Sequence, residues 1–182
     1  MFRKKFNVIA FLIILSIGLF ITSAAVNGVD TTKFTTDFME GNFVGNVELN
    51  GNMSSYVDSK NGITYNLSTV DNTNPVIDLY KNQGLSDPTE VSLNGNDWNI
   101  YFADAIPTGD DNKNEVMNII ICQSQKEKQG YLIYVIIDSK SDYIQPSMDT
   151  SSEAYTLYVE PLLQSINLKE CDDVPNVYDE LT

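Results

Sequence analysis

Alternating apolar and polar residues predict antiparallel β-strands over most of the chain. Residues 63–70 alternate in part, which is typical of a strand with one buried face. A shorter strand is predicted before it, because apolar residues separated by Gly and Asn occur between residues 43 and 49. The apolar residues of this shorter strand are Phe43, Val44, Val47 and Leu49.

A hairpin over residues 90–102 is the clearest local prediction. Asn94 and Gly95 lie between two alternating segments, and these residue types tolerate the positive φ angles of a two-residue turn. The residues predicted to share one face of this hairpin are Trp98, Ile100 and Phe102 on one strand and Val91 and Leu93 on the other.

A second hairpin is predicted between residues 116 and 137. Residues 116–122 and 131–137 form its strands, and the charged segment 124–130 forms a solvated turn. The strand 131–137 has no polar alternation, so both of its faces are expected to be covered. This pattern predicts a central position in the sheet for residues 131–137.

Two helical segments complete the predicted elements. Pro75 at a first helical position and Gly84 beyond the end indicate a short helix over residues 75–81. A second helix is predicted near the C-terminus, and Pro161 is expected to kink or split it. The apolar stripe of this second helix consists of Tyr155, Val159, Leu162, Leu163 and Ile166.

The order of the elements, with hairpins first and a helix last, predicts an α+β fold. The sheet is expected to be antiparallel, with the C-terminal helix covering one face and an N-terminal hydrophobic signal or anchor helix preceding the domain. The predicted divisions are residues 1–26 for the leader, 27–37 for a polar tether, 38–169 for the α+β domain and 170–182 for an acidic tail.

The leader has the composition of an export signal. Basic residues at 3–5 precede the apolar run 8–21, and small residues follow at 23–25. Extended to Val26, the apolar run is long enough to cross a bilayer, so retention as an anchor is the alternative to cleavage. Either way, the basic residues remain on the cytoplasmic side and the domain is expected outside the cytoplasm.

Net charge and missing residue types exclude several functions. The chain has a formal net charge of −14, and none of its 25 acidic residues lies in the leader. An acidic domain repels phosphate backbones, so we expect no nucleic-acid partner. The chain has no His and its only Arg is Arg3, which excludes His-dependent triads and Arg clamps in the domain. Paired carboxylates and Ser/Lys pairs remain as catalytic options.

Covalent modification is predicted at four residues. Cys122 and Cys171 allow one disulfide in an oxidising compartment, and the alternative is a buried thiol and an exposed one. Asn52 and Asn66 each begin an Asn-x-Ser triplet, which is a glycosylation acceptor where the host modifies exported proteins. We predict no catalytic residue, no metal ligand set and no cofactor.

Two clusters have both a functional and a structural interpretation. The loop 104–115 is rich in Asp and Asn, but Glu115 and Ile121 stand where a calcium-binding EF-hand requires Gly and Glu. An irregular calcium site and a plain polar loop remain the alternatives there. Five tyrosines either line a recognition groove on the sheet or belong to its core: Tyr131, Tyr134, Tyr143, Tyr155 and Tyr158.

The element order resembles that of small exported PsbP-like α/β/α domains. The likeness covers residues 38–169 and rests on the Asn-Gly hairpin with Trp98, the strand pair at 116–137 and the helix ending at 162–169. The composition, rich in Asn, Ile and Asp, also looks like that of surface proteins of methanogenic archaea. The resemblance implies a non-catalytic domain and carries over no functional residue, because it rests on no diagnostic motif.

The sequence therefore predicts a non-catalytic binding domain of the cell envelope, exported or tethered to the membrane. Its expected partner is another envelope protein or a small ligand held on the sheet. Membrane contact would run through residues 8–26 if the leader is retained. The alternatives are an extracytoplasmic enzyme that uses carboxylates or a Ser/Lys pair, and a purely structural envelope component.

Overall fold

Strands make up most of the regular structure in the computed structural model. The structure describes residues 30–51, 54–82, 84–107, 116–172 and 174, and the described residues from Thr31 onward belong to one compact unit. The strands are β1 (Thr31–Thr35), β2 (Met39–Val44), β3 (Glu48–Leu49), β4 (Ser55–Asp58), β5 (Ile63–Val70), β6 (Thr89–Leu93), β7 (Asn96–Pro107), β8 (Val116–Lys126), β9 (Gln129–Ile137) and β10 (Asn167–Leu168). The helical segments are α1 (Asn74–Lys81), a π-helical turn (Tyr155–Val159) and α2 (Glu160–Ser165).

The strands form two antiparallel sheets. Seven strands follow the order β3-β4-β5-β9-β8-β7-β6, and three more follow the order β1-β2-β10. Strand β9 lies between β5 and β8 in the middle of the larger sheet, which confirms the central position predicted for residues 131–137. The predicted sheet-rich antiparallel fold is confirmed, whereas the predicted N-terminal helix lies outside the described residues.

The first predicted hairpin is confirmed in detail. Asn94 and Gly95 have φ angles of 51° and 73°, as a two-residue turn of this kind requires. Val91 is the cross-strand partner of Trp98, so their side chains lie on the same face of the sheet. The local turn chemistry is therefore sufficient to set the register of β6 and β7.

The second hairpin differs from the prediction at its turn. The turn contains only Glu127 and Lys128, because β8 continues to Lys126 and β9 begins at Gln129. The predicted seven-residue turn is wrong, because polar residues of β8 form hydrogen bonds within the fold and the strand continues through them. Gln123, for example, donates from Nε2 to the Thr73 hydroxyl at 2.7 Å.

One face of the seven-stranded sheet, here called the inner face, carries the main core. The π-helical turn, α2 and the three-stranded sheet pack against it, and its central side chains are almost fully buried. Burial of this much apolar surface is the main stabilising contribution expected for the domain. Central members of the cluster are Phe43, Tyr65, Trp98, Ile100, Ile120, Ile133, Ile137, Val159, Leu162 and Leu163.

Pro161 divides the C-terminal helix, as predicted. It lies in the first turn of α2, where its missing N–H costs no helical hydrogen bond. The preceding turn is π-helical, and the Glu160 N–H donates to the Tyr155 carbonyl across five residues. The wider turn absorbs the proline while the apolar stripe stays on the sheet.

The predicted tether at residues 27–37 is wrong over β1. Thr31–Thr35 pairs with β2 in antiparallel register, and Phe34 stacks on Phe43 with ring centroids 4.4 Å apart. Threonine-rich segments favour strands, and one buried aromatic ring is enough to fix this strand on the sheet. The compact unit therefore begins before residue 38, and residues 27–29 lie outside the described part.

Candidate binding site

The opposite face of the seven-stranded sheet, here called the outer face, has a smaller cover. Helix α1 and Leu85 pack against it and form a second apolar cluster with side chains of β5, β7, β8 and β9. Eight helical residues span only about 12 Å. The helix therefore covers the part of the face around Val70, Ile121 and Leu132. Tyr134 and Ile136 of β9 remain half-buried.

A polar network fixes the start of α1 on the sheet. The buried Thr73 precedes the helix, and its hydroxyl donates to Gln125 Oε1 at 3.1 Å. The same hydroxyl accepts from Gln123 Nε2, while Gln123 Oε1 accepts from Tyr101 OH at 3.1 Å. Polar groups that are paired in this way hold one geometry, so this network fixes where α1 begins on the sheet.

Gly130 allows the helix start to approach β9 closely. A methyl group at this position would overlap the Thr73 methyl and come within 2.7 Å of Gln125 Oε1. Thr69 on β5 donates from its hydroxyl to the Gly130 carbonyl at 2.8 Å, which holds this backbone segment in place. Glycine is therefore required here because a side chain has no room, and not because the backbone adopts a positive φ.

The uncovered part of the outer face is the floor of a cleft of about 450 Å³. Helix α1 forms one wall, and β5, β9 and β8 form the floor. A volume of this size falls within the range of about 300–1,000 Å³ that is typical of small-molecule sites. The residues that line the cleft are Asn66, Ser68, Val70, Val76, Leu79, Tyr80, Ile119, Leu132, Tyr134 and Ile136.

The cleft combines an apolar surface with a few polar groups. The rings of Tyr80 and Tyr134 lie at its wall and floor with centroids 5.9 Å apart. Asn66 is the cross-strand partner of Tyr134, and Ser68 is that of Leu132, so all four side chains point to the same face. Within the part of the chain that the structure describes, none of the lining residues is Asp, Glu, Lys or Arg.

The prediction that both faces of residues 131–137 are covered is wrong for part of the outer face. Ile133 and Ile137 on the inner face are fully buried, but Ile136 on the outer face is only partly so. Sequence reasoning missed the cleft because an apolar strand residue does not reveal what packs on it. The available signal was the length of the predicted helices, because only the short helix at residues 75–81 was left to cover the second face.

The predicted disulfide is not formed, and both cysteines are free thiols. Cys122 is fully buried on β8, whereas the Cys171 N–H donates to Oε1 of Gln129, which pairs with Lys126. Four residues of β8 separate Cys122 from that point, or roughly 13 Å. Bridged cysteines need Cα atoms within about 7 Å, so this separation favours two separate thiols.

The two glycosylation triplets have different outcomes. Asn52 lies outside the described residues, as does its neighbour Met53. Asn66 lies in the middle of β5, paired with Ser55 and Tyr134, and its side chain lines the cleft. A glycan on Asn66 would therefore occupy the cleft, although use of this acceptor remains a prediction.

The acidic loop 104–115 lies largely outside the described residues. Asp104 is described, and its Oδ1 accepts from the Met148 N–H at 3.1 Å, which ties β7 to the segment before the C-terminal helix. Across the described part of the chain, no cluster of His, Cys, Asp or Glu has the composition of a metal site. The irregular calcium site and the plain polar loop thus remain the two alternatives for residues 108–115.

The five predicted tyrosines divide between the two faces. Three of them, Tyr131, Tyr155 and Tyr158, are buried in the inner core. Tyr143 packs edge-on against Tyr158, with ring centroids 4.9 Å apart. Burial raises the pKa of Tyr155 to about 12, since ionisation would place a charge in the apolar core. Of these five tyrosines, Tyr134 is the one that lines the cleft. The structure does not bring the five together in one groove.

A second, polar cavity of about 330 Å³ contains the Ser and Lys residues that a Ser/Lys mechanism would need. Its central hydroxyl already has structural partners. Ser141 donates to the Asn61 carbonyl at 2.6 Å and accepts from the Tyr143 N–H at 3.2 Å. Asp138 likewise accepts from the Lys140 N–H. These bonds close the loops at this end of the sheet.

No helix among the described residues is long and apolar enough to span a bilayer. In comparisons with known proteins, no family model matches the chain and no curated protein is significantly similar to it. The resemblance to PsbP-like domains stays a prediction. The functional argument therefore depends on the cleft itself.

Proposed function

We propose that the chain is a non-catalytic binding domain, exported or tethered to the membrane outside the cytoplasm, that holds its ligand or partner in the outer-face cleft. The observation that carries this proposal is the half-covered outer face, where Ile119, Tyr134 and Ile136 line a cleft of about 450 Å³. Partly exposed apolar floors in concave sites favour binding. The export-type leader at residues 1–26 supports the location.

The chemistry of the cleft favours binding over the enzymatic alternative. Acid–base catalysis with carboxylates needs two acids that converge on a substrate, and no Asp or Glu is among the described residues that line the cleft. Of the two serines that line the second cavity, Ser141 is engaged by backbone groups on both sides. A purely structural component would gain nothing from an apolar floor left open to solvent, because such surface costs solvation free energy.

Blocking the cleft is the direct test of this function. Ile136→Arg places a long charged side chain on the cleft floor, and Leu49→Arg places the same side chain on the exposed edge strand β3. Leu49 is 59% exposed and lies outside the cleft, so it is the matched control. Circular dichroism first establishes that both variants fold.

The three full-length proteins are then incubated with an envelope extract, and bound small molecules and proteins are identified by mass spectrometry. The proposal expects one molecule retained by the unmodified chain and by Leu49→Arg but lost with Ile136→Arg. Equal retention by all three proteins, or no retained molecule together with a measured turnover, would refute it.

A further inference from the structure

The charge distribution around the cleft restricts what it can hold. The chain carries 25 acidic residues and a net charge of −14, yet none of the ten described residues that line the cleft is Asp, Glu, Lys or Arg. A charged ligand group that enters such a site loses its water and finds no counter-charge. The surrounding acidic surface would also repel an anion before it enters.

Asn66 and Ser68 supply the polar contacts that remain. Their side chains lie two residues apart on β5 and point to the same face as Tyr134 and Leu132. Neither the Asn66 amide nor the Ser68 hydroxyl has a side-chain hydrogen-bond partner among the described residues. Both can therefore bond a neutral amide, hydroxyl or carbonyl group without breaking an internal bond.

We propose, on the basis of the binding function above, that the ligand is a small uncharged molecule with an apolar body and at least one hydrogen-bonding group. The body lies against Ile119, Ile136 and the Tyr80 ring, and the polar group faces Asn66 and Ser68. The cleft volume of about 450 Å³ suits a molecule of this kind rather than a protein segment with its own backbone.

Three probes with the same rings test the charge preference: naphthalenemethanol, naphthalenecarboxylate and naphthalenemethylamine. Binding is followed by the methyl NMR shifts of Ile119 and Ile136 in the full-length chain, so that partition into a lipid or detergent phase does not count as binding. The titrations are repeated near 1 M salt, where the Debye length falls to about 3 Å and the field of the acidic surface is screened.

The neutral probe is expected to bind about tenfold more tightly than either ion at high salt, because only the ions lose hydration without a partner. Ser68→Lys adds a cation inside the cleft and should improve carboxylate binding about tenfold relative to the alcohol. Thr89→Lys adds the same charge on the exposed strand β6 and should leave the preference unchanged.

The outcomes separate the two proposals. A binding cleft is supported if any of the three probes shifts the methyl signals of Ile119 and Ile136. In Ile136→Arg, where Ile119 is the remaining reporter, the same probe should cause no shift. Equal affinities, or tighter binding of an ion at high salt, overturn the uncharged-ligand proposal and leave the binding function intact. Absence of shifts with all three probes overturns the uncharged-ligand proposal, whereas the binding function is refuted by equal retention in the extract experiment with Ile136→Arg and Leu49→Arg.

Discussion

The two faces of strand β9 carry similar apolar side chains in different surroundings. On the inner face, Ile133 and Ile137 are fully buried beneath the C-terminal helix and the smaller sheet. On the outer face, Leu132 is buried but Ile136 remains partly open, because α1 reaches only part of the way across. One strand thus contributes to a closed core and to the floor of an open cleft.

This difference shows that hydrophobicity and burial are separate properties of a strand. The inner face has several elements to cover it, whereas among the described residues the outer face is covered by one eight-residue helix, held by Thr73, and by Leu85. Apolar side chains that the chain itself does not cover point to a contact beyond the chain. The predictions below alter each face separately.

High pH should break the inner face and unfold the whole domain. Burial raises the pKa of Tyr155 from its ordinary 10.0 to about 12, and burial also raises the pKa of Tyr65 and of the Cys122 thiol above their ordinary values. In the folded state these groups keep protons that the unfolded chain releases. The contribution of Tyr155 to stability is complete below about pH 10 and is lost as the pH rises through about 12.

The measurement is a pH titration of near-ultraviolet circular dichroism and of tyrosinate absorption. The ionisation of the buried tyrosines and the loss of tertiary signal should coincide in one cooperative transition above about pH 10. Complete tyrosine ionisation with unchanged circular dichroism would show that the inner face is not closed.

Truncating one isoleucine on each face of β9 should give unequal losses of stability. Ile133→Ala removes a fully buried side chain and should lower the free energy of unfolding by about 2–5 kcal/mol. Ile136→Ala removes a partly exposed one and should cost about 1 kcal/mol. Urea denaturation of both variants provides the comparison, and equal losses would contradict the difference between the faces.

Gly130→Ala should displace α1 from the sheet without touching the inner core. The added methyl overlaps the Thr73 methyl, so the helix start must shift, at a cost of about 1–3 kcal/mol. Amide hydrogen exchange should accelerate over α1 and stay slow in the inner core. Gly95→Ala is the control, because its new methyl meets no atom within 4 Å and only its φ of +73° is strained.

Thr73→Val should have a smaller effect in the same region. The substitution keeps the shape but removes the hydroxyl that pairs with Gln123 and Gln125, which leaves the buried Gln123 Nε2 without its acceptor. The expected loss is about 1 kcal/mol, with faster exchange at the N-terminal end of α1. An unchanged exchange pattern would indicate that the network does not hold the helix.

Sequence patterns predicted those parts of the fold that local chemistry controls. Asn94-Gly95 placed one hairpin, the apolar run 131–137 identified the central strand, and Pro161 marked the break in the last helix. Each depends on turn geometry, side-chain period or a missing N–H, all of which act within a few residues.

The features that sequence patterns missed depend on distant partners. Strand β8 continues through Gln123 and Gln125 because Thr73, some fifty residues earlier, supplies their hydrogen bonds. Likewise, β1 is held as a strand because the ring of Phe34 stacks on that of Phe43 in β2. The cleft depends on how far α1 extends over the sheet, which no local pattern states.

Solvent access to the isoleucine methyl groups tests the contrast between the faces most directly. An uncharged gadolinium chelate in solution broadens methyl NMR signals according to their distance from solvent. We expect strong broadening for Ile119 and Ile136 and little for Ile120, Ile133 and Ile137, although three of these five residues are neighbours on β9. Equal protection of all five would mean that the outer face is closed and would contradict the cleft.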